Sequence, residues 1–265
     1  GNDFADEEEE ARRRIPQELF AAEFGACAHA LHAVALEHSA TRDWTLSAIR
    51  RVLTELLAHF PVYRTYVDGR GRGDEDAQIM QRVVAAAART CRPSERALLD
   101  CIDAWLGGEA PKDVRRPAAR RARLRAIARF QQLTSPVAAK SVEDTAFYRH
   151  GLLLSRNEVG SDPRQFALST DEFHAICVDR RERYPNALLA TATHDHKRGE
   201  DVRARLAVLS ENADAWVEVV GRWRRFNEAL RHQDARPAPD EVDEYLLYQM
   251  IVGAWPMELR ATDRD

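Results

Sequence analysis

The chain has 265 residues, 45% hydrophobic and 31% charged, a balance that suits a globular protein with a buried core. No apolar run approaches the roughly 18 residues that a membrane-spanning helix needs, so no membrane partner is expected. Lys and Arg number 39 against 43 Asp and Glu, a formal charge of -4, which argues against a nucleic-acid binder whose affinity comes from neutralising phosphates. The chain opens on Gly1-Asn2-Asp3 with no Met and no basic or apolar signal-like region, and reads as a cytoplasmic protein entered partway along its length. Cys27, Cys91, Cys101 and Cys177 are scattered and form no C-x-x-C pair, the pattern of free thiols in a reducing compartment.

In chain order, Glu7 to Glu10 and Arg12 to Arg14 form a charged lead-in, expected to fray or to start an exposed helix. From Ile15 to about Phe60 apolar residues recur at helical intervals, for two or three helices with a break near Thr41 to Thr45. Pro61 ends this block. An extended segment, Val62 to Val67, then runs into a loop marked by Gly69, Gly71 and Gly73. A helix follows from about Glu75 to Thr90, and another, N-capped by Ser94, closes at Gly107-Gly108. Beyond the linker between Pro111 and Pro117, Ala118 to Leu133 reads as a basic helix with the apolar stripe Leu124, Ile127, Phe130 and Leu133. The arginines at 115, 116, 120, 121, 123, 125 and 129 lack interleaved aromatics; they read as a solvated helix face rather than a phosphate site.

Ala187 to Thr193 is a nearly continuous apolar run that ends in His194-Asp195-His196-Lys197-Arg198. It reads as a strand buried on both faces, delivering a His-Asp pair at its carboxyl end, where barrel enzymes place catalytic groups. A helix opening on Glu200-Asp201 follows, then helices over Trp216 to about Arg231 and Glu241 to Ala254, the last two separated by Pro237 and Pro239. Trp216, Trp223 and Trp255 read as core anchors. One or two strands cannot close an eight-stranded barrel, so the chain is expected to be an interior piece of a larger enzyme. On spacing alone, Lys140, Glu143 and Asp144 are a surface ion-pair cluster on one helix face. His194 and His196 could begin a metal site, but no third ligand lies near them in sequence, and no metal is expected.

Four ordered segments carry a family resemblance: PVYRTYV (Pro61 to Val67), FQQLTSPVAAKSVEDTAFYRHGLLLSRNEVGSDP (Phe130 to Pro163), ALLATATHDHKRGEDVRARL (Ala187 to Leu206) and DEYLLYQMIVGAWP (Asp243 to Pro256). Together they resemble the maltooligosyltrehalose synthases of the α-amylase superfamily, glycoside hydrolase family 13. The resemblance implies a mainly α chain: a helical insertion domain over residues 1–180, then residues 181–265 as a partial (β/α)8-barrel segment with one or two strands. It implies an isomerase that converts the reducing-end α-1,4 bond of a maltooligosaccharide into an α,α-1,1 bond by intramolecular transglucosylation, without a cofactor. Asp195 then matches the carboxylate that holds the sugar at the reacting ring, and His194 the histidine that bonds the same sugar. Lys140 and Glu143 match the reducing-end subsites, with Tyr148 and Arg149 close behind. Lys197 and Arg198 either bond the terminal glucose or orient Asp195. Tyr63 and Arg64, with Tyr66, either frame the cleft or belong to a structural segment. The family usually has Thr where this chain has His196.

Retaining members of the superfamily also need a nucleophile and a proton-donating carboxyl about 5–5.5 Å apart. Their R-x-D-H and V-E-K-like motifs are absent from this sequence, so the rest of a parent chain is expected to supply them, leaving this piece inert. Two other readings compete. An all-helical His-Asp metal-dependent phosphohydrolase would draw His29, His32 or His38 to His194 and Asp195, and a noncatalytic helical interaction module would bind no sugar.

Overall fold

The computed structural model describes residues 3–232 and 238–259; Gly1, Asn2 and Pro237 lie outside the described residues. Helix dominates, as expected: α1 (Phe4–Glu18), α2 (Ala21–Ala35), α3 (Leu46–Ala58), α4 (Asp74–Thr90), α5 (Arg96–Asp103), α6 (Pro117–Ala138), the three-residue α7 (Phe147–Arg149), α8 (Thr170–Arg183), α9 (Glu200–Glu211), α10 (Ala213–Asn227) and α11 (Glu241–Ala254). Residues Ala139–Ala146, between α6 and α7, wind as a π-helix. The chain forms two compact units, Ala5–Ala146 and Phe147–Asp265 with Gly1–Phe4.

In the amino-terminal unit α2 packs along α6 and α3, because it is built mainly of small residues. Ala28, Ala30, Leu31 and Ala35 are buried on it, facing a core that includes Ile49, Leu53, Leu56, Met80, Leu98 and Phe130. Each fully buried Leu, Ile or Phe side chain contributes about 1.5–3 kcal/mol. Phe60 and Phe130 meet edge to face, 5.4 Å between centroids, and Thr45 caps α3 by accepting from the Ala48 N–H at 3.2 Å. The charged lead-in does not fray: Ala11, Arg12 and Ile15 are buried. Arg12 is neutralised by Glu8 at 3.0 Å and Arg13 by Glu55 at 2.9 Å. Burial works against the Glu55 charge, but the Arg13 hydrogen bond prevails and holds its carboxyl below the usual range.

Two local expectations fail in this unit. Ser94 does not cap α5: a 3-10 turn, Pro93–Glu95, leads into the helix, and buried Glu95 instead receives Arg51 at 2.5 Å. Leu124 is exposed, and Ala126 takes its place in the apolar stripe, because the face of α6 that meets α2 must be narrow enough for close approach.

In the carboxyl-terminal unit α9 and α11 pack together. Leu206 and Leu246 enclose Leu154 between them, with Val202, Leu209 and Val242 around it. Trp216 and Val220 of α10 join Tyr248 of α11; the Trp216 indole donates to the Tyr245 hydroxyl at 2.9 Å, and the Tyr248 hydroxyl to buried Glu244 at 2.6 Å. Trp255 is 49% exposed and anchors nothing. The helix α8 carries a complete capping box from Ser169 and Glu172 but buries none of its residues.

The expected strand is the main correction. Ala187 to Thr193 is irregular, with Leu188 100% and Leu189 73% exposed. Among the described residues there is no strand, and β-pairing is confined to the isolated bridges Asp68–Gly71 and His232–Ala238. A strand exists only by pairing its N–H and C=O groups with at least one neighbouring strand. The described residues provide none, so apolar content alone does not make this segment a strand, and the one or two expected barrel strands do not form among the described residues.

Gly107 ends the α5 region at φ 106°, where an added Cβ would collide with Val67 Cγ1. Gly107→Ala is expected to lower stability by about 2–4 kcal/mol from the left-handed backbone and the overpacking combined. A urea titration checks this, with Gly69→Ala, where a Cβ meets nothing within 4 Å, as the near-neutral reference.

Candidate functional site

The site residues read from the sequence fall into two sets, one in each unit. In the amino-terminal unit the segment PVYRTYV is tied to α6 by Gln131, which is 7% exposed. Its side-chain oxygen accepts from the Val67 N–H at 2.7 Å and its NH2 donates to the Val67 carbonyl at 3.3 Å. Ser135 donates to the Tyr63 carbonyl at 3.2 Å. So held, the Tyr63 hydroxyl donates to the Glu143 carboxylate, bringing two of the expected sugar-binding residues together. Arg64 turns instead onto the ring of Tyr66, 4.9 Å from its centroid. Lys140 pairs with Asp144 at 2.5 Å, the ion pair that spacing alone suggested, and both stand on the π-helix. This wider winding recurs at functional sites; here Thr145 donates to the Lys140 carbonyl at 2.8 Å.

In the carboxyl-terminal unit Tyr148 stands on α7, 51% exposed. His194 and Asp195 occupy the two central positions of a tight turn, Thr193 to His196, closed by the His196 N–H on the Thr193 carbonyl at 3.1 Å. The His196 imidazole reinforces it, its Nδ1 accepting from the Thr193 N–H at 2.9 Å and lying 2.9 Å from the Thr193 hydroxyl. His196 therefore works as a turn brace. Nδ1 acting as acceptor places the proton of the neutral ring on Nε2. His194 Nε2 lies 3.4 Å from Asp195 Oδ1, with the two side chains 92% and 64% exposed. The pair faces solvent, available to hydroxyl groups of a ligand.

Lys197 and Arg198 follow the turn, and their main-chain N–H groups donate to the two carboxylate oxygens of Glu158, at 2.6 and 2.8 Å. The Arg198 guanidinium reaches the Asn157 carbonyl at 3.3 Å. Asn157 and Glu158 are 0% and 1% exposed. The Asn157 side chain donates to the carbonyls of Phe147 and His150, at 2.8 and 2.5 Å. Farther along the same loop, Arg164 grips Asp162 and holds its carboxyl below the usual range. Sequence reasoning missed Asn157 and Glu158; the signal was a polar pair set two residues beyond the apolar run Leu152 to Leu154, after Ser155 and Arg156.

The metal-centred alternative finds no support in this geometry. His29 Nδ1 lies 2.8 Å from the Gly25 carbonyl of its own helix, and His38 Nδ1 accepts from the Ala40 N–H at 3.1 Å. Among the described residues no three His, Cys, Asp or Glu side chains gather as a metal would require.

No protein-family model matches the chain. Over 129 residues, 49% of this chain, it is 43% identical to a Mycobacterium tuberculosis protein named as a maltooligosyl trehalose synthase, covering 16% of that protein. The structure of maltooligosyltrehalose synthase from Arthrobacter ramosus superposes with a TM-score of 0.72 at 33% identity, covering 96% of this chain and 28% of that one. The Sulfolobus tokodaii protein named as a hypothetical maltooligosyl trehalose synthase gives 0.66 at 26% identity, covering 97% and 28%. The chain is thus similar, along nearly its whole length, to a part of the maltooligosyltrehalose synthases, the family that its four sequence segments resemble. It spans about a quarter or less of the length of these relatives.

The contact between Tyr63 and Glu143 is partly exposed, which sets the size of its coupling. Tyr63→Phe and Glu143→Gln, made singly and together, are expected to show about 0.5–1.5 kcal/mol of coupling in urea denaturation. Additive losses would mean that the hydroxyl and carboxylate do not meet in solution.

Proposed function

We propose that this chain is part of an enzyme that isomerises maltooligosaccharides, converting the reducing-end α-1,4 bond into an α,α-1,1 bond and leaving a trehalose-capped chain. The observation that carries this reading is the likeness to the Arthrobacter ramosus synthase over 96% of the chain at 33% identity. The exposed His194-Asp195 pair on a braced turn supports it, since a carboxylate and an imidazole presented together can bond vicinal sugar hydroxyls.

In this reading Asp195 and His194 hold the sugar at the reacting ring. The Asp195 carboxylate bonds hydroxyls more strongly as oxocarbenium character develops. Lys140 and Glu143, with Tyr63 beside Glu143 and Arg64 in the same unit, orient the reducing-end glucose; Tyr148, Lys197 and Arg198 are further sugar-binding candidates in the unit that carries Asp195. The terminal glucose is expelled with a proton from the acid as the nucleophile takes the rest of the chain into a covalent glycosyl-enzyme. It turns within a closed subsite and attacks that intermediate through its anomeric hydroxyl, which returns its proton to the same group and frees the nucleophile. Water must be kept out, because its attack yields free glucose, and a helical insertion over residues 1–180 is suited to that enclosure. Residues 181–265 lie at the barrel side of the parent enzyme, in the cytoplasm. There Ala187 to Thr193 pairs as a strand with neighbours from the rest of the chain, which also supplies the nucleophile and the acid. The exposure of Leu188 and Leu189 supports this pairing, and the chain by itself is inert.

The test uses the full-length protein with maltopentaose. Asp195→Asn is expected to abolish formation of nonreducing product without loss of folded protein. Lys140→Ala and Glu143→Ala are expected to raise the ratio of released glucose to trehalose-capped product, because orientation worth up to about 7–11 kcal/mol governs the choice of attacker more than bond cleavage. Wild-type turnover in Asp195→Asn would remove that residue from the site, and an unchanged product ratio would return Lys140 to its ion pair with Asp144.

A further inference from the structure

The Asp195 side chain is 64% exposed, with His194 3.4 Å away, so where its carboxylate points follows from where its main chain is held. Upstream, the turn is closed on itself by His196 and Thr193. Downstream, the chain leaves the turn through Lys197 and Arg198, and both of their N–H groups end on one buried carboxylate. We infer that Glu158 is a positioning residue for the reacting-ring site, fixing the exit of the turn so that Asp195 meets the sugar in one orientation. This rests on the role proposed for Asp195 above.

Three observations carry the inference. The two oxygens of Glu158 are used separately, Oε1 by Lys197 at 2.6 Å and Oε2 by Arg198 at 2.8 Å, which fixes the planes of two successive peptides rather than one. The anchor is itself immobilised: Asn157, next to it, is fully buried and donates to the Phe147 and His150 carbonyls, while its own carbonyl receives the Arg198 guanidinium. The chemistry is also specific to a carboxylate. Glutamine has the same shape but a single acceptor oxygen, so its NH2 would face one of the two N–H donors. A group held only by its backbone tolerates little displacement, since about 1 Å of misplacement in a catalytic arrangement costs on the order of 100-fold.

Hydrogen exchange and kinetics on the full-length protein, wild type and Glu158→Gln, test this with maltopentaose as substrate. In the wild type the Lys197 and Arg198 amides are expected to exchange slowly although the turn beside them is exposed; fast exchange there overturns the inference without any variant. In Glu158→Gln, exchange at these two amides is expected to rise at least about tenfold, and kcat to fall about 100-fold with KM nearly unchanged. Peptides of α9 and α11 should exchange as before. Faster exchange with unchanged kcat would make Glu158 a structural residue only, and overturn the positioning role. Equal rises in KM and losses of folded protein would do the same. A wild-type protein that leaves maltopentaose untouched would sink the isomerase reading instead, and the exchange data would still decide whether Glu158 holds the turn.

Discussion

Every irregular segment that carries a candidate site residue must find partners for its own N–H and C=O groups, and in this chain no sheet among the described residues supplies them. Buried side-chain amides and carboxylates do so instead. Gln131 of α6 takes both polar groups of Val67. Gln249 of α11 accepts from the Leu154 N–H at 2.9 Å and donates to the Gly151 carbonyl at 3.0 Å. Asn157 holds the carbonyls of Phe147, at the start of α7, and His150, just past its end, and Glu158 the amides that follow the His194-Asp195 turn. Each such group left without a partner would cost about 1–3 kcal/mol. A helical frame with polar side chains aimed inward thus does the work that ladder bonds do in a sheet protein.

The same arrangement separates what is rigid from what is presented. Gln131, Asn157, Glu158 and Gln249 are all buried, whereas Tyr63, Tyr148, His194 and Asp195 are exposed. Buried amides and a carboxylate set the course of the main chain, and the candidate site side chains project from it into solvent. Under the function proposed above, such a division suits a polyol substrate, whose hydroxyls are read by groups held in fixed directions. Precision then depends on the buried groups, because an exposed carboxylate has few contacts of its own. His196 fits this division: its imidazole spends its acceptor nitrogen bracing the turn.

What was legible in the sequence was local. The bounds of α11 were readable because its signal is self-contained: Asp240 accepts from the N–H groups of Val242 and Asp243, both at 2.8 Å. Likewise α9 starts at Glu200, where Gly199 gives way to two acids. The strand expected at Ala187 to Thr193 does not form among the described residues, because an apolar run says nothing about whether neighbours exist to pair with it. Glu158 went unseen because its partners lie 39 and 40 residues away, and Gln131 because Val67 is 64 residues distant. Burying a Gln or Glu is worthwhile only when a distant main-chain group needs it, and no local pattern announces that need. The family resemblance pointed to candidate site residues, but not to what holds them in place.

The account stands or falls on whether those buried amides hold the irregular main chain in solution. Residue-resolved hydrogen exchange at Val67 and Leu154, in the wild type and in Gln131→Met and Gln249→Met, tests it most directly. Both amides are expected to exchange within about tenfold of their helical neighbours in the wild type. Protection should be lost at Val67 in the first variant alone and at Leu154 in the second alone. Exchange at exposed-loop rates in the wild type, or protection that survives both substitutions, would contradict the account.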